Sequence, residues 1–223
     1  MRARWLPIAL AAALAACATR PPDMRPYLLL PVTADGVPLA ADTPVRIEHP
    51  GVRLEIEALT PRGRELWLRE RAGIEQDPLA ARADGERFLT VRLSVEATAD
   101  VPVHFESQSI RLWQTDRTIS TAALDYTRAY ELLRRDIEGP GPAAEQMRRF
   151  MRGLLDGAVD VPAGGRREGL LVFPRLPVPK DGMILLEIPF LQSGSRTYKV
   201  RVPFTVSFPG AASAASGREN DDR

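Results

Sequence analysis

Of the side chains that most readily do covalent or metal chemistry, the 223 residues hold one cysteine, Cys17, and two histidines, His49 and His104. Thiolate and imidazole sites gather three or four ligands at short spacings. His49 and His104 each stand in an extended-looking stretch with no histidine or carboxylate at ligand spacing beside them. Both read as half-exposed strand histidines. The chain has no Gly-x-Ser-x-Gly elbow and no His-Glu-x-x-His, and Gly164-Gly165-Arg166 lacks the strand–loop–helix order of a phosphate site. Glu75 with Asp77, and Asp156 with Asp160, are acidic pairs close in sequence. Surface pairs of this kind are common, although carboxylates distant in sequence can also converge, as they do in glycosidases.

Cys17 ends a distinctive leader. Arg2 and Arg4 precede an apolar run from Leu6 to Ala13, broken only by Pro7, and small residues follow at Ala15 and Ala16. That is the layout of a secretory signal peptide, and the run is shorter than the roughly 20 residues a membrane span requires. Leu14-Ala15-Ala16-Cys17 resembles the lipobox of bacterial lipoproteins, with the lone cysteine at the position that motif requires. The resemblance implies acyl chains such as palmitate on Cys17 and cleavage just before it. Residues 1–16 are then the signal peptide and 17–26 a polar, proline-bearing tether. Two or more acyl chains anchor stably where one is marginal. Ala18, where an aspartate would retain such proteins, resembles the sorting pattern for the outer membrane. The expected address is the cell envelope, facing the periplasm.

The chain carries 30 basic and 29 acidic side chains, and loss of Arg2 and Arg4 with the leader leaves 28 against 29, a formal −1. Such balance gives no long-range attraction to nucleic acid. With Cys17 acylated no thiol remains for a disulfide, so the fold must stand on its core. Twenty prolines cut the chain into short segments, which suits a β-rich fold.

Strands declare themselves by period-two alternation. Val52, Leu54, Ile56 and Ala58 alternate with Arg53, Glu55 and Glu57, and Phe88 to Ala97 repeats the pattern. Tyr27 to Leu30 reads as a first strand or an apolar plug, Val101 to Phe105 as extended, and Ile110 to Trp113 as a strand before a turn at Thr115-Asp116-Arg117. Three more strands are expected at 169–173, 183–188 and 198–206, with Pro203 favouring an edge position. Pro61-Arg62-Gly63 reads as a turn, and Leu66-Trp67-Leu68 as either a short strand or the start of a loop through Asp77-Pro78. Six to eight strands point to a two-sheet sandwich. FLTVRLSVEATADVPVHF, IRLWQTDR and GLLVFPRLPVPKDGMILLEI resemble the immunoglobulin-like domains common in bacterial lipoproteins. The resemblance covers less than half of the chain, departs from the family at Ala97-Thr98-Ala99-Asp100, and implies no activity. The expected fold is mainly β: an immunoglobulin-like antiparallel sandwich over 27–208, followed by a polar disordered tail at 209–223.

A helical hairpin is expected as an insertion at about 122–158. Tyr126, Tyr130, Leu133 and Ile137 recur at helical spacing, Gly139-Pro140-Gly141-Pro142 interrupts, and Met147, Phe150, Met151, Leu154 and Leu155 form a second apolar stripe. Such a stripe by default faces a core, here by capping the open end of the sandwich. The sharper expectation makes those five residues a partner-docking face, with methionines for adaptability and Arg148, Arg149 and Arg152 for charge complementarity. Insertion into a membrane surface is a third reading, which would duplicate the lipid anchor.

Together these readings predict a non-enzyme with no catalytic, cofactor-binding or metal-ligating residue. It would be a lipid-anchored binding or structural module, an accessory to an envelope assembly. Its partners would be the membrane, through lipid on Cys17, and an envelope protein, with no nucleic acid. The alternative is a hydrolase acting on an envelope polymer through a carboxylate site without a sequence signature.

Overall fold

The computed structural model of the chain describes residues 22–80, 86–134 and 142–209. The predicted alternation is realised in β3 (Val52–Leu59), where Val52, Leu54, Ile56 and Ala58 are buried and the residues between them are not. It joins β2 (Val45–His49), β4 (Phe88–Ala97) and β9 (Arg166–Pro174) in a four-stranded sheet of order β2-β3-β4-β9. The second sheet has seven strands. Its spine runs β1 (Leu28–Pro31), β11 (Arg196–Ser207), β10 (Met183–Ser193), β5 (Val103–Glu106) and β8 (Ala158–Val161). β10 is long enough to pair twice, first with β6 (Arg111–Gln114) and then, past a bulge between Ile188 and Leu191, with β5. β7 (Ser120–Ala122) closes the hairpin with β6, and Arg117 takes the positive φ that its turn requires.

Every ladder among the described residues is antiparallel, with one isolated parallel bridge at Leu154–Leu170. β4 crosses to β9 in one sheet while β5 and β6 pair β10 in the other. This Greek-key crossing makes an immunoglobulin-like sandwich. Its main core lies between the sheets, with Leu54, Ile56, Val91, Leu93, Leu171 and Phe173 from one side and Ile184, Leu186, Val202 and Phe204 from the other.

The segment at 61–72 corrects the sequence reading. Pro61 to Gly63 begin helix α1 (Pro61–Trp67), which continues as a π-turn over Leu68–Ala72. Thr60 Oγ1 accepts from the Gly63 N–H at 2.9 Å and Pro61 opens the first turn, the two usual signals of a helix start.

The inserted pair is present as α2 (Tyr126–Arg134) and α3 (Pro142–Gly153). It covers the outer face of the four-stranded sheet and not the open end of the sandwich. Leu170 and Val172 of β9 point outward into a second apolar cluster with Leu68, Ile74, Leu79, Leu133, Met147, Phe150, Met151 and Leu154. Met147, Phe150, Met151, Leu154 and Leu155 are all buried, Phe150 completely. Burying a side chain of that size stabilises by about 1.5–3 kcal/mol. The docking expectation is thereby corrected, because a stripe covered by its own chain offers a partner no surface. α2 is rotated from expectation: Tyr126 and Tyr130 stack in the open, with ring centroids 6.3 Å apart, while Ala129 and Leu133 enter the cluster. Ile137 lies outside the described residues.

Candidate functional site

Cys17, the signal peptide and most of the tether and tail lie outside the described residues. Among those described, no helix is long and apolar enough to cross a membrane, and no three histidine, aspartate or glutamate side chains gather as metal ligands. His49 in β2 and His104 in β5 are half-buried strand residues. Against the sequence reading, carboxylates do stand beside His104: Nδ1 lies 2.8 Å from Asp160 Oδ1, and Nε2 lies 3.8 Å from Glu106 Oε1, two residues on. Asp156 Oδ1 accepts from the Tyr126 N–H at the start of α2. The suspected pairs therefore separate: Asp156 and Asp160 serve different elements, and Asp77 leaves Glu75 for a buried arginine.

That arginine is Arg64, 1% exposed. Its guanidinium donates to Asp77 Oδ2 at 2.7 Å, Glu86 Oε1 at 2.9 Å, Thr90 Oγ1 at 3.3 Å and the Leu79 carbonyl at 3.2 Å. Arg175 donates to the carbonyls of Glu86, at 2.5 Å, and Tyr27, at 3.2 Å, and lies 4.7 Å above the Tyr27 ring. Burial pulls the Arg175 guanidinium below the usual arginine value and pushes the Tyr27 phenol up to about 12. Arg64, Glu86, Arg175 and Tyr27 border a cavity of about 70 Å³. Glu86 Oε2 is buried there without a hydrogen-bond donor among the described residues. A space of that size holds a few waters.

The outer face of the seven-stranded sheet is built differently. Glu187 in β10 stands opposite Arg201 of β11 and Arg111 of β6. One oxygen, Oε2, receives Arg201 Nε at 2.9 Å, Lys199 Nζ at 3.1 Å and Arg117 Nη2 at 3.2 Å. Burial is the largest single influence and pushes the Glu187 carboxyl up, but the hydrogen bonds from Arg201, Lys199 and Arg117 together outweigh it and hold the group below the usual range. Arg111 and Arg117 lie 6.0 and 5.5 Å from the Trp113 ring centroid. Three cations thus bind one carboxylate oxygen and Arg111 stands opposite it in register, leaving a local excess of positive charge on a chain that is nearly neutral.

This patch continues to an open strand edge. β1 pairs with β11 only over Phe204–Ser207, and the Val32 N–H donates to the Pro203 carbonyl at 3.3 Å. Pro203 therefore stands where β11 changes from interior to edge, which refines its expected edge position. Backbone groups of residues two apart face the same side of a strand, so Thr197, Lys199 and Arg201 turn their N–H and C=O groups toward the side β1 leaves uncovered. Among the described residues that stretch has β10 as its ladder partner and nothing on the other side. A groove of about 470 Å³ runs along it, lined by Ile47, His49, Lys199, Val200 and Arg201. His49 is held there by the Tyr198 ring stacked on it at 4.5 Å, and the Tyr198 hydroxyl donates to the Pro50 carbonyl at 2.9 Å. Alternation in the sequence announced Lys199 and Arg201 as one face of a strand. It carried no sign that their backbone would lie unpaired.

No family model matches the chain, and no curated protein matches it in sequence. Solved structures similar to it include the yjhA protein of Bacillus subtilis (9% identity, 70% of this chain and 95% of that one, TM-score 0.36). A second is ycdA, a lipoprotein candidate from the same organism (14% identity, 79% of this chain and 42% of that one, TM-score 0.38). A third is MPT63, a secreted protein of Mycobacterium tuberculosis (12% identity, 71% of this chain and 91% of that one, TM-score 0.29).

Proposed function

We propose that the protein is a non-catalytic binding module, anchored by lipid on Cys17 to the outer membrane, facing the periplasm and serving as an accessory to an envelope assembly. The anchor rests on Leu14-Ala15-Ala16-Cys17 and the sorting on Ala18. The observation that carries the binding role is the cationic patch of Arg111, Arg117, Lys199 and Arg201 beside an open strand edge. Positive potential at a strand edge selects partners by charge and speeds encounter.

Two measurements test this reading. In cells fed a palmitate analogue, Cys17→Ser loses the label and moves to the soluble fraction; a variant that stays labelled and membrane-bound after a high-salt wash refutes the anchor. A photo-crosslinker at Thr197 forms discrete adducts with an envelope protein that disappear in Lys199→Gln/Arg201→Gln; adducts unchanged by that substitution refute the binding surface. The alternative, a polymer hydrolase, has one observation in its favour, the convergence of Asp77 and Glu86 beside a cavity. At about 70 Å³ that cavity is smaller than a sugar ring requires, and each carboxylate gives an oxygen to Arg64. Hydrolysis of an envelope polymer that is lost in Glu86→Gln would establish the alternative.

A further inference from the structure

Resting on the reading of this edge as the binding surface, we infer that the partner segment joins the seven-stranded sheet as a strand antiparallel to β11, and that it alternates acidic with apolar residues. The backbone of Thr197, Lys199 and Arg201 faces outward without a ladder partner among the described residues, and strand addition to such an edge is an established mode of peptide recognition. All nine ladders among the described residues are antiparallel, the parallel contact at Leu154–Leu170 being an isolated bridge, and the added strand is assigned the same antiparallel sense.

The side-chain code follows from register. In an antiparallel pair, directly opposed residues point to the same face. Residues set against Lys199 and Arg201 lie on the cationic outer face and are matched by Asp or Glu. The residue between them lies on the face of Val200 and enters the groove beside Ile47, where a small apolar side chain fits. A second copy of this chain is disfavoured at the same edge, because antiparallel self-pairing sets Lys199 and Arg201 against the same cations. Lysine and arginine on an edge strand also discourage promiscuous pairing, and here the same charges would select for an acidic strand.

The test uses the purified wild-type chain and a short fluorescent peptide of alternating glutamate and valine, N-methylated either at its valines or at its glutamates. The residues opposite Thr197, Lys199 and Arg201 turn their N–H groups to β11, and these are the glutamates. The valine-methylated peptide is therefore expected to bind, with self-association blocked, and the glutamate-methylated one to lose about tenfold or more in affinity. Lys199→Gln/Arg201→Gln lowers binding of the first peptide by a similar factor, with thermal unfolding followed to confirm that the variant is folded. Because the methylation comparison needs no variant, it stands whatever that substitution does to stability. Equal binding of both peptides, lost in the charge variant, overturns strand addition and leaves an anion-binding face. Binding of neither overturns the inference, while the binding role itself is judged by the Thr197 crosslinks.

Discussion

The edges of the two sheets are finished in opposite ways. At β9 the chain seals its own sheet: the Leu155 N–H donates to the Leu170 carbonyl at 2.9 Å and the Leu124 N–H to the Val172 carbonyl at 2.8 Å. The approach is so close that a Cβ on Gly169 would stand 2.8 Å from the Gly153 carbonyl oxygen. Along Arg196–Val202 of β11 no such cover exists among the described residues, and the strand meets solvent with cations and a shallow groove. Unpaired strand edges invite association. A chain that lays its inserted helical pair over one edge and leaves the other to electrostatics would, on the proposed reading, divide stability from recognition.

That division predicts unequal responses to mutation. Phe150→Asp places a charge in the sealed cluster and is expected to cost more than about 4 kcal/mol, read as loss of the cooperative unfolding transition. A variant that keeps its melting temperature would show that the stripe is not core. Arg64→Ala strands Asp77 and Glu86 as buried carboxylates, and chemical denaturation should show a loss of about 3–5 kcal/mol. Arg64→Met should do no better, since the two acids remain.

Tyr27, in the main core beside the Arg64 cavity, gives a pH test. Its hydroxyl donates to the Leu176 carbonyl at 2.8 Å, and burial pushes its pKa up to about 12. The unfolded phenol loses its proton near pH 10, so the unfolded state sheds the proton first. Stability present below pH 10 falls as pH rises toward 12, by about 2–3 kcal/mol. Tyr27→Phe removes that alkaline slope. The smallest effect belongs to the open edge. Lys199 and Arg201 are about half exposed, and their double substitution by Gln should change stability by less than about 1 kcal/mol. It should also shrink the acid-side loss that comes from Glu187: a carboxyl held below its ordinary range stabilises the fold above that range and ceases to as pH falls through its folded value. A large destabilisation would mean that the edge, too, is structural.

What could be read from residues alone followed the range of the signal. Alternation at Val52–Ala58, Phe88–Ala97 and Lys199–Val206 is local, and those strands appear where it places them. β7 and β8 have only three and four residues, too few for a period to register. α1 was missed although Thr60 and Pro61 are a helix start, because Leu66, Trp67 and Leu68 run together without helical spacing. The stripe at Met147 to Leu155 was legible as a stripe, but which surface would cover it was decided by Leu170 and Val172, on the outward side of a strand whose inward side serves the main core. The charged groups were least legible. Asp77 and Glu86 reach Arg64 from 13 and 22 residues further along the chain, and whether a strand lies inside a sheet or at its margin depends on a partner about 170 residues away in sequence, as β1 is from β11.

That last pairing also sets a distance. β1 enters beside Ser207, and Lys199 lies eight residues back along the same strand, about 26 Å at the rise of an antiparallel strand. The Asp23 carbonyl accepts from the Val178 N–H at 2.7 Å, so with a lipid on Cys17 the chain from anchor to domain spans at most about 20 Å. On the proposed reading of a lipid on Cys17, these two lengths together bound how far from the bilayer the open edge can stand, and therefore where a partner strand has to present itself.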